Sequence, residues 1–213
     1  MRLVAEGLSA KRGEDLIFHD ISFEVAAGEA LVVKGANGAG KSTLLRVLAG
    51  LLPPEAGWVR IDAAAHTVER PCEACHYLGH RNAMKRELSV EENLRFWKAC
   101  LGDLQGGQGL EADAAAAMVG LEGITHLPFG YLSAGQQRRI AMAKLLVAWR
   151  PVWLLDEPTA ALDAAAEEMF SGLVTRHLAA GGIAIAATHQ PLGLGGAKEL
   201  RMTGFAGLAE DAW

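Results

Sequence analysis

Short apolar runs punctuate this chain, with helix-spaced segments between them. Ala30-Leu31-Val32-Val33, Val152-Trp153-Leu154-Leu155 and Ile183-Ala184-Ile185-Ala186 are brief, nearly unbroken and rich in β-branched or bulky residues. Runs of that kind suit strands buried on both faces of a mostly parallel sheet. Leu3 to Leu8 and Ile21 to Val25 read as strands of a smaller sheet, because Ser22-Phe23-Glu24-Val25 alternates polar and apolar as a half-exposed strand does. The middle of the chain has a different period. Ser89-Val90-Glu91-Glu92 is a capping box, and Val90, Leu94, Trp97 and Leu101 then fall on one helical face. Gly102 to Gly109 reads as a glycine-rich loop, Glu111 to Val119 as an Ala-rich helix, and Ser133 to Trp149 as a longer one. The expected fold is α/β, with a helical insertion over roughly 82–145.

Composition narrows the classes. The chain has 213 residues, 51% of them hydrophobic, which is enough for a sizeable core in one domain. Twenty Lys and Arg against 25 Asp and Glu leave a net charge of −5, with no basic footprint for nucleic acid. No uncharged apolar run reaches the length of a bilayer span; the longest, Ile140 to Leu155, is broken by Lys144 and Arg150. Glu6 falls where a signal peptide needs its apolar segment, so the expected location is cytoplasmic.

The first chemical motif is Gly35-Ala36-Asn37-Gly38-Ala39-Gly40-Lys41-Ser42-Thr43, which matches G-x-x-x-x-G-K-[ST] between an expected strand and a helix from Lys41 to Leu51. Glycines let backbone amides approach phosphate oxygens, and the helix start adds a positive dipole end. Lys41 supplies a point charge for the β- and γ-phosphates, and Ser42 a hydroxyl for Mg²⁺. A second motif, Val152 to Leu155 followed by Asp156 and Glu157, is an apolar strand ending in two acids at the sheet edge where ligands bind. Asp156 is the expected Mg²⁺ residue and Glu157 the expected general base. The run Ile183–Ala187 ends in Thr188-His189, whose imidazole is placed to contact a γ-phosphate.

Leu132-Ser133-Ala134-Gly135-Gln136-Gln137-Arg138-Arg139 resembles the LSGGQ signature of ABC-transporter ATPases. Pro158 with Ala161-Leu162-Asp163 is similar to that family's D-loop, and His189 to its switch histidine. The resemblance implies a P-loop NTPase (RecA-like) core with a small antiparallel β subdomain and an inserted α-helical signature subdomain. It also implies two copies in a head-to-tail dimer, each P-loop holding ATP against Ser133, Gly135 and Gln136 of its mate. Two positions depart from the pattern. Arg12 stands where an aromatic usually stacks on adenine, and His80 where a glutamine usually contacts Mg²⁺ or water. His76 to Lys85 and Ala187 to Leu192 further resemble the ATP-binding subunits of cytochrome c maturation (Ccm) haem exporters. That likeness implies a polytopic membrane subunit of the Ccm B type, other cytochrome c maturation proteins as partners, and a peripheral place on the cytoplasmic face of the inner membrane. The alternatives are a small ABC exporter with another substrate, a soluble ABC ATPase acting on DNA or ribosomes, and a P-loop phosphotransferase.

Cys72-Glu73-Ala74-Cys75-His76 formally matches the pattern of covalent haem attachment. Zinc is a second reading with an incomplete ligand set; reduced surface thiols beside a loop are the expected state. Met84, Phe96 and Trp97 are expected mainly in the core, with some forming a groove for the membrane subunit.

Overall fold

The computed structural model describes residues 1–62, 67–68, 70–104, 107–160, 162–188 and 195–203. Two sheets organise the chain. In the antiparallel sheet, β1 (Arg2–Arg12) lies between β2 (Asp15–Ala26) and β4 (Ala56–Asp62), with the short β5 (Thr67–Val68) at the outer edge. The parallel sheet follows the order β6 (Cys75–Leu78), β7 (Val152–Asp156), β8 (Ile183–Ala187), β3 (Ala30–Lys34), β9 (Lys198–Arg201). Strands β7 and β8 are buried at every position, as continuous apolar runs require.

Side chains alternate across this sheet and build two cores. Leu31, Val33, Val152, Leu154, Ile183 and Ile185 pack with α1 (Lys41–Leu48) and the antiparallel sheet. Trp153, Leu155, Ala184 and Ala186 face the other way, onto α2 (Val90–Leu101), α3 (Ala112–Met118), α4 (Ala134–Ala143) and α5 (Ala164–Ala179). The phosphate loop therefore lies on one face of the sheet and the signature helix, α4, on the other.

Several boundaries and one strand differ from the sequence reading. Helix α1 stops at Leu48 rather than Leu51, because the chain turns through Gly50 at φ 67°. Helix α4 stops at Ala143 rather than Trp149. The residues beyond it stay apolar because Leu145, Val147 and Ala148 are buried in turns, not because the helix continues. Strand β4 was not anticipated, although Val59 and Ile61 alternate with polar neighbours. The capping box at Ser89 is formed as expected: Ser89 Oγ accepts from the Glu92 amide and Glu92 Oε2 from the Ser89 amide.

The surface reading of the motif's thiols fails at Cys75. Cys75 and His76 are successive residues of β6 and so point to opposite faces, Cys75 into one core and His76 Nε2 to Ala148 O at 2.8 Å. Both are buried, Cys72 is half-buried and Cys100 exposed. Burial pushes the Cys75 thiol well above its ordinary pKa. Ligands that diverge in this way do not share one metal or one haem.

Candidate active site

Strands β3, β6, β7 and β8 all end on one edge of the parallel sheet, and the chemistry gathers there. From β3 the chain enters Gly35–Gly40 and turns into α1. Gly40 precedes that helix at φ 93°, and a Cβ there would meet Ile17 Cγ2 of β2 at 2.6 Å. The loop is thus pressed against the antiparallel sheet, and only glycine fits. Gly40 offers no side-chain cap, so the first amides of α1 remain available to an anion. Lys41, buried, donates through Nζ to Gly35 O at 2.7 Å and Ala36 O at 3.1 Å. The ammonium is thereby held against the loop that phosphates would enter.

Across the sheet edge, Ser42 Oγ donates to Asp156 Oδ1 at 2.8 Å, and Tyr77 Oη donates to Oδ2 at 3.1 Å. Asp156 is 1% exposed. An adjacent hydroxyl and carboxylate are hard oxygen donors of the kind Mg²⁺ takes, so this pair fits the ion. Burial and the neighbouring carboxylate raise the Tyr77 phenol, which keeps it a donor at neutral pH. Among the described residues, Ser42 and Tyr77 are the side chains hydrogen-bonded to Asp156. His80 stands exposed just beyond β6.

Glu157 follows at φ 46°, a left-handed conformation that costs a non-glycine residue about 1–2 kcal/mol. Its amide donates to Ala187 O at 2.9 Å. Its carbonyl accepts from Arg138 Nη2 at 2.9 Å, while the same guanidinium reaches Gly79 O at 2.8 Å and Pro158 O at 3.3 Å. Arg138 comes from α4, so the signature helix fixes the turn that carries Glu157.

At the head of α4, Ser133 Oγ accepts from the Gln136 amide at 3.3 Å and Gln136 Oε1 from the Ser133 amide at 2.9 Å. A Cβ on Gly135 would meet nothing within 4 Å, so backbone there is open to approach. Tyr131, just before the signature, is 82% exposed. Arg12 is exposed at the tip of the β1–β2 hairpin. Asp163 caps α5 by accepting from the Ala166 amide at 2.8 Å. His189 and Ala161 lie outside the described residues.

Beside this edge runs a cleft of about 520 Å³ lined by Arg46, Tyr77, His80, Arg81, Trp97 and Lys144 among others. Among the described residues, its lining includes no Asp or Glu. Lys144 is buried, sits 4.6 Å from the centre of the Trp97 ring and donates to Tyr77 O at 3.2 Å. Burial first, and Arg138 second, push its pKa down to about 8. Trp97 and Met84 pack against the core as expected, whereas Phe96 is exposed.

Sequence reasoning missed Tyr77, Arg46, Arg138 and Lys144. Their signal was slight: a charged or hydroxyl-bearing side chain within a stretch that otherwise reads as buried.

Residues 18–160 match the family model described as ABC transporter. The cytochrome c biogenesis ATP-binding export protein CcmA of Rhizobium meliloti is 71% identical over 96% of this chain and 99% of its own. Its namesake from Agrobacterium fabrum is 68% identical over the full length of both. A solved dimer of the ATP-binding cassette MJ0796 with ADP and phosphate has the same fold, with a TM-score of 0.73 at 24% identity over 88% of each chain. A phosphate loop facing paired acids at one sheet edge, a self-capped signature helix behind them and these matches together make the chain a member of the ABC transporter family, on its ATP-binding side.

Proposed function

We propose that this chain is the ATP-binding and ATP-hydrolysing subunit of a cytochrome c biogenesis export complex, energising a haem-handling step through a polytopic membrane subunit. The observation that carries the reading is the hydrogen bond from Ser42, at the start of α1, to Asp156 at the end of β7, in a chain 71% identical to a CcmA export protein.

The amides of Gly35–Thr43 cradle the phosphates, and Lys41 turns from the loop carbonyls to the β- and γ-oxygens. Arg12, at the hairpin tip, offers a guanidinium plane to the base. Ser42 and Asp156 hold Mg²⁺, which when bound neutralises charge on the phosphate oxygens. Glu157 accepts a proton from the attacking water, so ATP and water give ADP and phosphate. His189 contacts the γ-phosphate, and Ser133, Gly135 and Gln136 of a second copy close over it. Arg46, Arg81 and Lys144 make the cleft cationic, which suits an acid-bearing segment of the membrane subunit. No helix among the described residues is long and apolar enough to cross a membrane. The proposed place is peripheral, at the cytoplasmic face of the inner membrane.

The test is recovery of a Glu157→Gln chain from solubilised membranes with ATP and Mg²⁺. Two copies with retained ATP and one polytopic membrane protein are expected. Recovery of single copies, or transfer of phosphate to a hydroxyl acceptor by the parent chain, would end the proposal.

A further inference from the structure

Ser42 and Arg46 stand one turn apart on α1, and positions four apart share a helix face. Facing them, Tyr77 on β6 and Asp156 on β7 complete a square. The register pairs Tyr77 with Leu154, and Asp156 lies two residues farther on, on the same face and about 6.6 Å along the strand. The phenol reaches past its register partner to Asp156 Oδ2, while Ser42 takes Oδ1. The Arg46 guanidinium lines the same cleft as Tyr77. Each carboxylate oxygen thus has a donor, and the phenol has its proton engaged. Swinging the Asp156 carboxylate about its own bond breaks both contacts at once.

We propose that Tyr77 is a positioning residue for Asp156, and that it sets how well this carboxylate takes a divalent cation. The proposal rests on the reading of Asp156 as the Mg²⁺ residue. A ligating carboxylate already turned to the metal loses little freedom on binding, and removing such a supporting partner costs about 10- to 100-fold in metal affinity. Ser42 has a different part, since its hydroxyl is itself offered to the cation. Tyr77 stays behind the carboxylate and is free to hold it throughout. The position explains why a tyrosine stands in a strand that is otherwise buried: the ring packs on the core around α1, and the hydroxyl emerges at the carboxylate.

The experiment uses the full chain with Glu157→Gln, so that ATP is retained. Mn²⁺ is titrated into the ATP complex and free Mn²⁺ read by electron paramagnetic resonance, and ATP affinity is measured separately in EDTA. Tyr77→Phe is expected to weaken Mn²⁺ binding about tenfold, with metal-free ATP affinity within about twofold and melting within a few degrees of the parent. Asp156→Asn separates the failures. If it weakens Mn²⁺ binding and Tyr77→Phe does not, the role of Tyr77 is overturned alone. If neither does, the reading of Asp156 falls and takes this one with it. Parallel loss of ATP and Mn²⁺ affinity with lowered melting in Tyr77→Phe would make the ring a packing group and overturn the proposal too.

Discussion

Replacing Arg138 with methionine measures how far the catalytic turn depends on a side chain from the opposite face of the sheet. The guanidinium is 8% exposed and serves three carbonyls, two of them at 2.8 and 2.9 Å and one at 3.3 Å. A bond from a charged donor contributes about 1.5–3 kcal/mol, so the two short ones set a gross loss of about 3–6 kcal/mol. Against this stands the cost of keeping a guanidinium out of water, visible in its lowered pKa, and the apolar filling that methionine provides. A net loss of about 2–4 kcal/mol follows. For a chain of this length each kcal/mol moves Tm by about 2–4 °C, so melting should fall by roughly 4–16 °C. Lysine, a single point donor, should recover less than half of that. Turnover reports separately. Once its carbonyl is released, Glu157 can relax from φ 46°, and if it is the base, as proposed, its misplacement costs about a hundredfold in kcat. ATP affinity should change by less than about threefold, because Arg138 touches neither the loop nor α1. Melting within about 2 °C of the parent, or a loss of ATP affinity as large as the loss of kcat, would refute the reasoning.

Gly40→Ala should cost about 1–3 kcal/mol and weaken ATP binding, since φ 93° and the approach of Ile17 both oppose a Cβ. Adding Ile17→Ala should relieve the steric part alone, a partial recovery that a double-mutant cycle on urea midpoints would detect. Stability should also fall on acidification. Burial pushes His76 down to about 3 and His177 to about 4, so between those values and about 6.5 the unfolded chain binds more protons than the folded one. Stability therefore rises with pH across that window, by about 4 kcal/mol between pH 5 and 7 for the two together. Urea titrations at stepped pH measure the slope, and His177→Gln should roughly halve it; a slope unchanged by that substitution would count against the assignment.

What could be read from sequence was local along the chain. The phosphate loop, the strand ending in Asp156 and Glu157, and the Ser89 and Ser133 caps each depend on residues within one turn or one strand, so spacing reveals them. Helix α4 was drawn too long because apolar residues continue past Ala143, and hydrophobicity does not distinguish a buried turn from a buried helix. Helix α1 was drawn past Gly50, where the stop signal was already in the sequence. The square around Asp156 was hidden for another reason. Its members come from α1, β6 and β7, and only the register of β6 on β7 brings Tyr77 to the carboxylate. Arg138 is hidden likewise, since its partners lie on β6 and β7 turns far away in the chain. The surface assignment of the thiols failed because β6 begins at Cys75, which turns a chemical motif into two core side chains.

The self-capped start of α4 has a consequence for selectivity. Its amide at Gln136 is already occupied by Ser133 Oγ, and the Ser133 amide by Gln136 Oε1. A cap of this kind is worth about 1 kcal/mol, which any incoming anion must first displace. Dissolved phosphate, which also surrenders its freedom of movement, has little to gain by breaking that latch. A polyphosphate already immobilised on another polypeptide has surrendered that freedom beforehand, so under the proposed function the latch would screen out stray anions and yield only to a delivered one.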